Sequence, residues 1–156
     1  MFKEEKEMAD IQIVVFDLID ELCGVETTQV SEIVKYQEVT KVPEMPDFIE
    51  GIINLRSHVV PIINLNRRCH LGESADISAT KVIITNIDGQ QIGFIVDNVI
   101  EIVRLTPEDS EEAPEIIKKW GKKYIKYVGK VNGKLVNILD FSKILSEEEM
   151  VHISTI

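Results

Sequence analysis

Short β-branched runs in which apolar and polar positions alternate dominate this chain. Ile11 to Asp17 opens the pattern, with Ile11, Ile13 and Val15 on one face and Val14 and Phe16 on the other. Apolar residues on both faces predict a strand partly buried on each side. A turn at Ile19-Asp20-Glu21 returns the chain into a second strand, Leu22 to Val25. Gly24 inside it marks a bulge or a close approach. Thr27 to Ser31 predicts one helical turn capped by Thr27 or Thr28. A strand follows over Glu32 to Tyr36, then a loop over Glu38 to Pro46 that Pro43 and Pro46 keep irregular. Phe48 to Leu65 is the most apolar stretch, a hairpin whose arms flank Arg56-Ser57-His58. Pro61 cannot donate to a ladder, so it belongs at an edge, a strand start or a bulge. Arg56 stands alone there. It needs a carboxylate partner or must reach solvent, and an ordinary solvated hairpin arginine fits the pattern equally well.

Asn66 to Leu71 predicts a short helix closed by Gly72, and Glu73 to Ala79 a polar linker. Strands follow over Lys81–Asn86 and Gln91–Val96, joined by Asp88-Gly89, which accepts the positive φ values of a type I′ turn. Asn98 to Leu105 is another strand, and Thr106 to Asp109 a loop or helix start. Glu111 to Trp120 includes a short helix with Pro114 near its first position. Tyr124–Lys130 and Lys134–Leu139 form a hairpin around Asn132-Gly133. A last helix starts at Asp140 or Ser142 and runs through Met150. Many short strands with turn signals between them predict an all-β barrel or sandwich, and the scarcity of helices argues against a parallel βαβ sheet.

The two halves echo each other. Gly24-Val25 followed by Val30-Ser31-Glu32-Ile33-Val34 matches Gly93-Phe94 followed by Val99-Ile100-Glu101-Ile102-Val103, and Ile62-Ile63-Asn64-Leu65 matches Ile138-Leu139-Asp140-Phe141. The order of elements repeats as well, which predicts two similar small barrels packed on one another. A small barrel alone buries little, so the pair should share apolar surface. The expected division is a flexible leader over 1–10, a first barrel over 11–76, a second over 77–146 and a tail over 147–156. Exchange of strands between the barrels would blur it.

Composition narrows the function classes. The chain has 156 residues, 44% of them hydrophobic, and a formal charge of −10. That charge opposes binding to nucleic acid and to anionic membrane surfaces. Two cysteines, Cys23 and Cys69, a charged N-terminus without an apolar core and no bilayer-length apolar run predict a cytoplasmic protein with free thiols.

Catalytic chemistry finds little support. There is no Gly-x-Ser-x-Gly and no phosphate-cradling Gly-rich loop ending in Lys-Ser/Thr. His58, His70 and His152 are dispersed. Cys69-His70 is adjacent, which suits chelation poorly, because neighbours on a strand or helix point apart. No metal or cofactor is expected. The acidic runs at 108–112 and 147–149 read as solvated faces. Arg67-Arg68, Lys118-Lys119 and Lys122-Lys123 are basic patches suited to an acidic partner or simply to solubility. Trp120, Tyr124 and Tyr127 are interface aromatics or, more simply, packing in the second barrel. An interaction module is what remains.

Gly-Ile-Ile-Asn-Leu-Arg at 51–56, followed by Val-Val-Pro-Ile-Ile-Asn-Leu at 59–65, resembles the signature of the CheW family, adaptors that couple chemoreceptors to the histidine kinase CheA. Two positions depart from it: Ser57 where the family usually has Gly, and Asn64 where it usually has Asp. Ser57 implies a turn that either does not demand a positive φ or tolerates one at some cost. The resemblance spans about Ile11 to Leu145 and implies an all-β fold of two intimately packed five-stranded SH3-like barrels with short helices. It implies a groove between the barrels that takes a receptor's cytoplasmic hairpin tip, at Val30, Glu32, Ile33, Gly93, Val99 and Ile102, with Arg56. Glu32 and Arg56 would pair to shape its rim. Core packing is the competing reading for Val30, Ile33, Val99 and Ile102. The resemblance further implies docking of the CheA regulatory domain at Val39, Lys41, Glu50 and Gly51, and a cytoplasmic protein recruited to membrane receptor arrays. The rival readings are a CheW-like regulatory module of a related kinase or of a receiver-containing signalling protein, and an enzyme of unknown type. The first rival lacks a phosphotransfer helix, an ATP site and a receiver domain in this sequence, and the second needs a perturbed titratable cluster in a cleft.

Overall fold

A computed structural model describes residues 10–115, 117 and 123–154. Most of the expected leader, the basic Lys118, Lys119 and Lys122, and Trp120 lie outside the described residues. Strands β1 (Ile11–Leu18) and β2 (Glu21–Glu26) form a hairpin, β3 (Glu32–Lys35) follows, and β4 (Ile49–Leu55) and β5 (His58–Asn64) form the second hairpin. Helix α1 (Leu65–Arg68) comes next, then β6 (Lys81–Ile87), β7 (Gln90–Val96), β8 (Asn98–Leu105), the three-residue β9 (Ser110–Glu112), the hairpin β10 (Ile125–Val131) and β11 (Lys134–Leu139), and helix α2 (Glu147–Ser154).

The strands make two sheets, in the orders β8-β1-β2-β11-β10-β9 and β3-β6-β7-β5-β4. Each closes through the continuation of its own edge strand. Beyond β3, Thr40 exchanges two backbone hydrogen bonds of 2.9 Å with Ile52 of β4. Beyond β8, β9 pairs with β10. The result is two small barrels.

Neither barrel is one half of the chain. The first takes β1 and β2 from the N-terminal half and β8 to β11 from the C-terminal half; the second takes β3 to β5 and then β6 and β7. Sheet membership therefore cuts across a division at residues 76 and 77. The sequence echo is the trace of this arrangement. Within each barrel the exchanged hairpin joins the other half through a parallel pair, β2 with β11 and β7 with β5. Gly24 faces Ile138 in one and Gly93 faces Ile62 in the other.

Alternation explains the double-sided burial of the strands. Ile13 and Val15 fill the first barrel with Leu105, Tyr127, Val136 and Ile138. Val82, Ile84 and Ile95 fill the second with Ile53, Val60 and Ile62. The alternate residues Val14, Phe16, Val25, Ile83, Ile92 and Phe94 meet between the barrels, joined by Leu139, Phe141 and Ile153 of α2. Each fully buried side chain of this size contributes about 1.5–3 kcal/mol, so the shared layer is a core in its own right.

Local departures from expectation have local causes. Pro61 is buried mid-strand, opposite Ile52 of β4. The parallel pairing with β7 begins only at Ile62, so at Pro61 no donor is needed on that side. Arg56 and Ser57 both have positive φ, 51° and 69°, so the turn does demand that conformation. The Asn54 side chain supports it by accepting from Ser57 N at 3.0 Å. The turn after β2 spans Thr27–Gln29 with Glu26 at its cap position and no side-chain cap. The predicted last helix is split into a 3-10 turn at Phe141–Lys143 and α2, because the Asp140 side chain closes a tight turn on Ser142.

Candidate partner-binding groove between the barrels

The chain passes between barrels twice, from β2 to β3 and from β7 to β8, and the candidate groove residues begin at these crossovers. Ile33 pairs with Ile83, and Ile102 with Val14. Directly opposed residues point to one side of a sheet, and Val14 and Ile83 belong to the shared core. Val30 just before β3, Ile33 on β3 and Val99 on β8 pack, partly buried, against that same core. A register shift opposite Val15 and Phe16 lets Val99 and Ile102, three residues apart, face the same side. Ile102 projects furthest and is 59% exposed, with its neighbour Ile100 at 44%. Core packing and an apolar rim thus coexist in this set.

Glu32 and Arg56 are ion-paired. The two come from opposite edges of the second sheet, β3 and the tip of the β4–β5 hairpin, so the pair spans the line along which that barrel closes. The Arg56 side chain is 70% exposed and that of Glu32 25%, so this is a surface pair with one sheltered partner. The Arg56 hydrogen bond holds the Glu32 carboxyl below its ordinary value of 4.5. Gly93 does not join the groove surface. It is buried, and the space where a side chain would stand lies among Ile62, Val82 and Ile84 inside the second barrel.

The second candidate set is less uniform. Lys41 is exposed and Val39 packs partly on the second barrel's core. Gly51 is buried, with φ +151°, and a Cβ there would collide with the Thr40 carbonyl. Glu50 is largely covered, accepting from Asn64 Nδ2 at 3.0 Å and lying 3.5 Å from Arg67. Asn64 also accepts from Arg67 N, capping α1. Nearby, Val59 is 58% exposed at the hairpin that carries Arg56. Nothing in the run Val59 to Ile63 sets it apart except strict alternation with the inward Val60 and Ile62.

With this geometry in hand, comparison with known proteins is decisive: the CheW-like domain matches residues 12–149. The chain belongs to the CheW-like family. It is 36% identical over 143 residues to the chemotaxis protein CheW of Treponema pallidum (strain Nichols), covering 89% of this chain and 84% of that one. It is 32% identical over 137 residues to the chemotaxis protein CheW of Bacillus subtilis (strain 168), covering 88% of each. The crystal structure of the scaffolding protein TtCheW from Thermoanaerobacter tengcongensis superposes with a TM-score of 0.82 at 34% identity, over 92% of this chain and 94% of that one.

Elsewhere in this CheW-like chain, Cys23 and Cys69 are buried, and both line a cavity of about 250 Å³ with Leu18, Leu71, Tyr124 and Leu139. Burial, then the neighbouring Cys69, pushes the Cys23 thiol up to about 12, the opposite of a reactive thiolate. Tyr127 is buried against the first barrel's core and donates its hydroxyl to Glu26 at 2.8 Å. Among the described residues no group of three His, Cys, Asp or Glu side chains is placed to hold a metal, and no helix is long and apolar enough to cross a membrane.

Proposed function

We propose that this chain is a non-enzymatic chemotaxis adaptor that couples chemoreceptors to the histidine kinase CheA and modulates the kinase through contacts alone. Val30, Ile33, Val99 and Ile102, with the Arg56–Glu32 pair, receive the receptor's cytoplasmic tip. The region of Val39 and Lys41 receives the regulatory domain of CheA, with Glu50 and Gly51 shaping the ground beneath it. The adaptor works in the cytoplasm, at receptor arrays.

The observation that carries this reading is the apolar line along the barrel seam, which rises from partly buried Val30, Ile33 and Val99 to exposed Ile102. Such a surface suits an amphipathic helix laid into a groove. Receptor changes then reach the kinase as differences in binding free energy.

Calorimetry with a soluble receptor hairpin fragment and the CheA regulatory domain tests it. Micromolar or tighter binding of both is expected, and Arg56→Ala should weaken the receptor arm while leaving the kinase arm intact. A native chain that binds neither partner refutes the proposal.

A further inference from the structure

Both crossovers are pinned immediately before their groove residues, by side chains that were not among the candidates. Gln29 ends the turn between β2 and β3. Its Nε2 donates to Asp140 Oδ1 at 2.8 Å, and its Oε1 accepts from Phe141 N at 3.0 Å. Two residues later Ser31 N donates to Ile84 O at 2.8 Å, so the chain has already joined the second barrel. Val30 lies between these two anchors. At the other crossover, Asp97 links β7 to β8. Its carboxylate accepts from Asn66 Nδ2 at 3.1 and 3.2 Å, from Ser74 Oγ and from Ile19 N. Its own N–H donates to Asp17 O at 3.0 Å. Val99 follows two residues on.

The two pins correspond. Asp140 caps the 3-10 turn that follows β11, and Asn66 lies in α1, which follows β5; β11 and β5 are the strands paired in parallel with β2 and β7. Each crossover is thus tied to the segment after the strand that its preceding strand pairs with. Asn66 is fully buried and Gln29 is partly covered, so neither bond is an incidental surface contact. A two-pronged amide clamp fixes direction as well as distance, because losing either prong leaves a polar group unsatisfied.

We propose that Gln29 and Asp97 are positioning residues for the groove: each sets the angle at which one apolar wall, Val30–Ile33 or Val99–Ile102, leaves its crossover, and so sets affinity for the helical partner without touching it. This rests on the receptor-groove reading above.

The test measures binding of a soluble receptor hairpin fragment and of the CheA regulatory domain to the full chain, with Arg56→Ala as the reference. Gln29→Ala and Asp97→Ala, each folded by circular dichroism, should weaken receptor binding about tenfold and change kinase-domain binding less than twofold. Gln29→Glu separates positioning from mere loss of structure. At pH 7.5 its carboxylate opposes Asp140, which also feels Lys126, and receptor binding should be weak. Near pH 5, a proton shared between the introduced carboxyl and that of Asp140 restores a donor, and binding should recover relative to the native chain at the same pH. Native receptor affinity in folded Gln29→Ala and Asp97→Ala overturns the inference, as does equal loss of both partners or no recovery of Gln29→Glu at low pH. If Arg56→Ala itself leaves receptor binding unchanged, the groove reading fails instead.

Discussion

Gly93 separates a contact residue from a packing residue, and replacing it with alanine decides which it is. In β7 it faces Ile62 of the parallel β5 and Ile84 of β6. A methyl at this position would stand 2.7 Å from Ile62 Cδ1, 2.7 Å from Val82 Cγ1 and 3.1 Å from Ile84 Cδ1. Carbon atoms settle at about 3.5–4.0 Å, so each 2.7 Å approach is an overlap of roughly an ångström. The isoleucines can swing a terminal methyl aside. Val82 is branched at Cβ, and its methyl moves only with χ1 or the backbone. Overpacking of this kind costs about 1–3 kcal/mol. Alanine recovers about 0.5–1 kcal/mol by restricting the unfolded chain. The expected net loss is about 1–2 kcal/mol. Urea unfolding followed by far-UV circular dichroism reads it as a lower midpoint at an unchanged slope. Ile62→Val removes one of the colliding methyls, so in the Gly93→Ala background it should cost less than its usual ~0.5–1.5 kcal/mol, a positive coupling in a double-mutant cycle. Gly24→Ala, at 2.6 Å from Ile13 Cγ2 and 2.9 Å from Ile138 Cδ1, should behave alike in the other barrel. Native stability of Gly93→Ala together with lost receptor binding would refute the packing account.

Ser57→Gly should stabilise the chain by about 0.5–1 kcal/mol, since glycine meets φ +69° without the left-handed penalty that serine bears; thermal unfolding shows it as a raised midpoint. Asn64→Asp replaces a donor to Glu50 Oε1 with a second carboxylate at a site only 1% exposed. It should lose about 1–3 kcal/mol at pH 7 and regain stability relative to the native chain as pH falls and the pair takes up a proton, measured by unfolding at pH 5 and 7. Burial raises the Asp140 carboxyl, but hydrogen bonds from Ser142 and Gln29 outweigh it and hold the group below its ordinary 3.8. The stability it contributes is therefore complete above that value and lost as pH falls through the lower folded value. Asp140→Asn should be less stable at pH 7, with the gap closing in acid; a constant gap across the titration would contradict this.

The site was half legible. Arg56 stands out because a lone guanidinium in a β-branched stretch needs a carboxylate partner or solvent; it has both, and Glu32, the partner, was named by the family resemblance rather than by the pattern. Val30, Ile33, Val99 and Ile102 form a repeated apolar pattern, but pattern alone does not separate the half-buried Ile33 from the exposed Ile102. Exposure depends on what the other barrel covers, which is a tertiary fact. Gly93 and Glu50 show the converse. Gly93 stands in the internal repeat and Glu50 just before the 51–56 motif, yet their surroundings are internal: close strand approach at Gly93, and at Glu50 the cap of α1. Gln29 and Asp97 left no signal, because their partners Asp140 and Asn66 are 111 and 31 residues away.

Strand exchange is the feature of the fold that local reasoning reaches least well. The repeat between Gly24–Val34 and Gly93–Val103 is visible in the residues, and it correctly signals two like barrels. It is silent on which copy of the hairpin joins which barrel, since either assignment gives the same apolar periodicity. What decides is the crossover. After β2 only the three residues of a 3-10 turn and two more precede β3, and after β7 only Asp97 precedes β8. After β7 the single residue Asp97 leaves no room for the two-residue turn that a reversal onto β7 needs; after β2 the five residues would allow one, and there Ser31 N, donating to Ile84 O at 2.8 Å, commits the chain to the second barrel. Each strand continues onward into the neighbouring barrel, where β3 meets β6 and β8 meets β1. The one-residue link at Asp97 and the Ser31 anchor carry each strand across, and the exchange places a crossover strand of each kind at the seam, which the proposed groove follows.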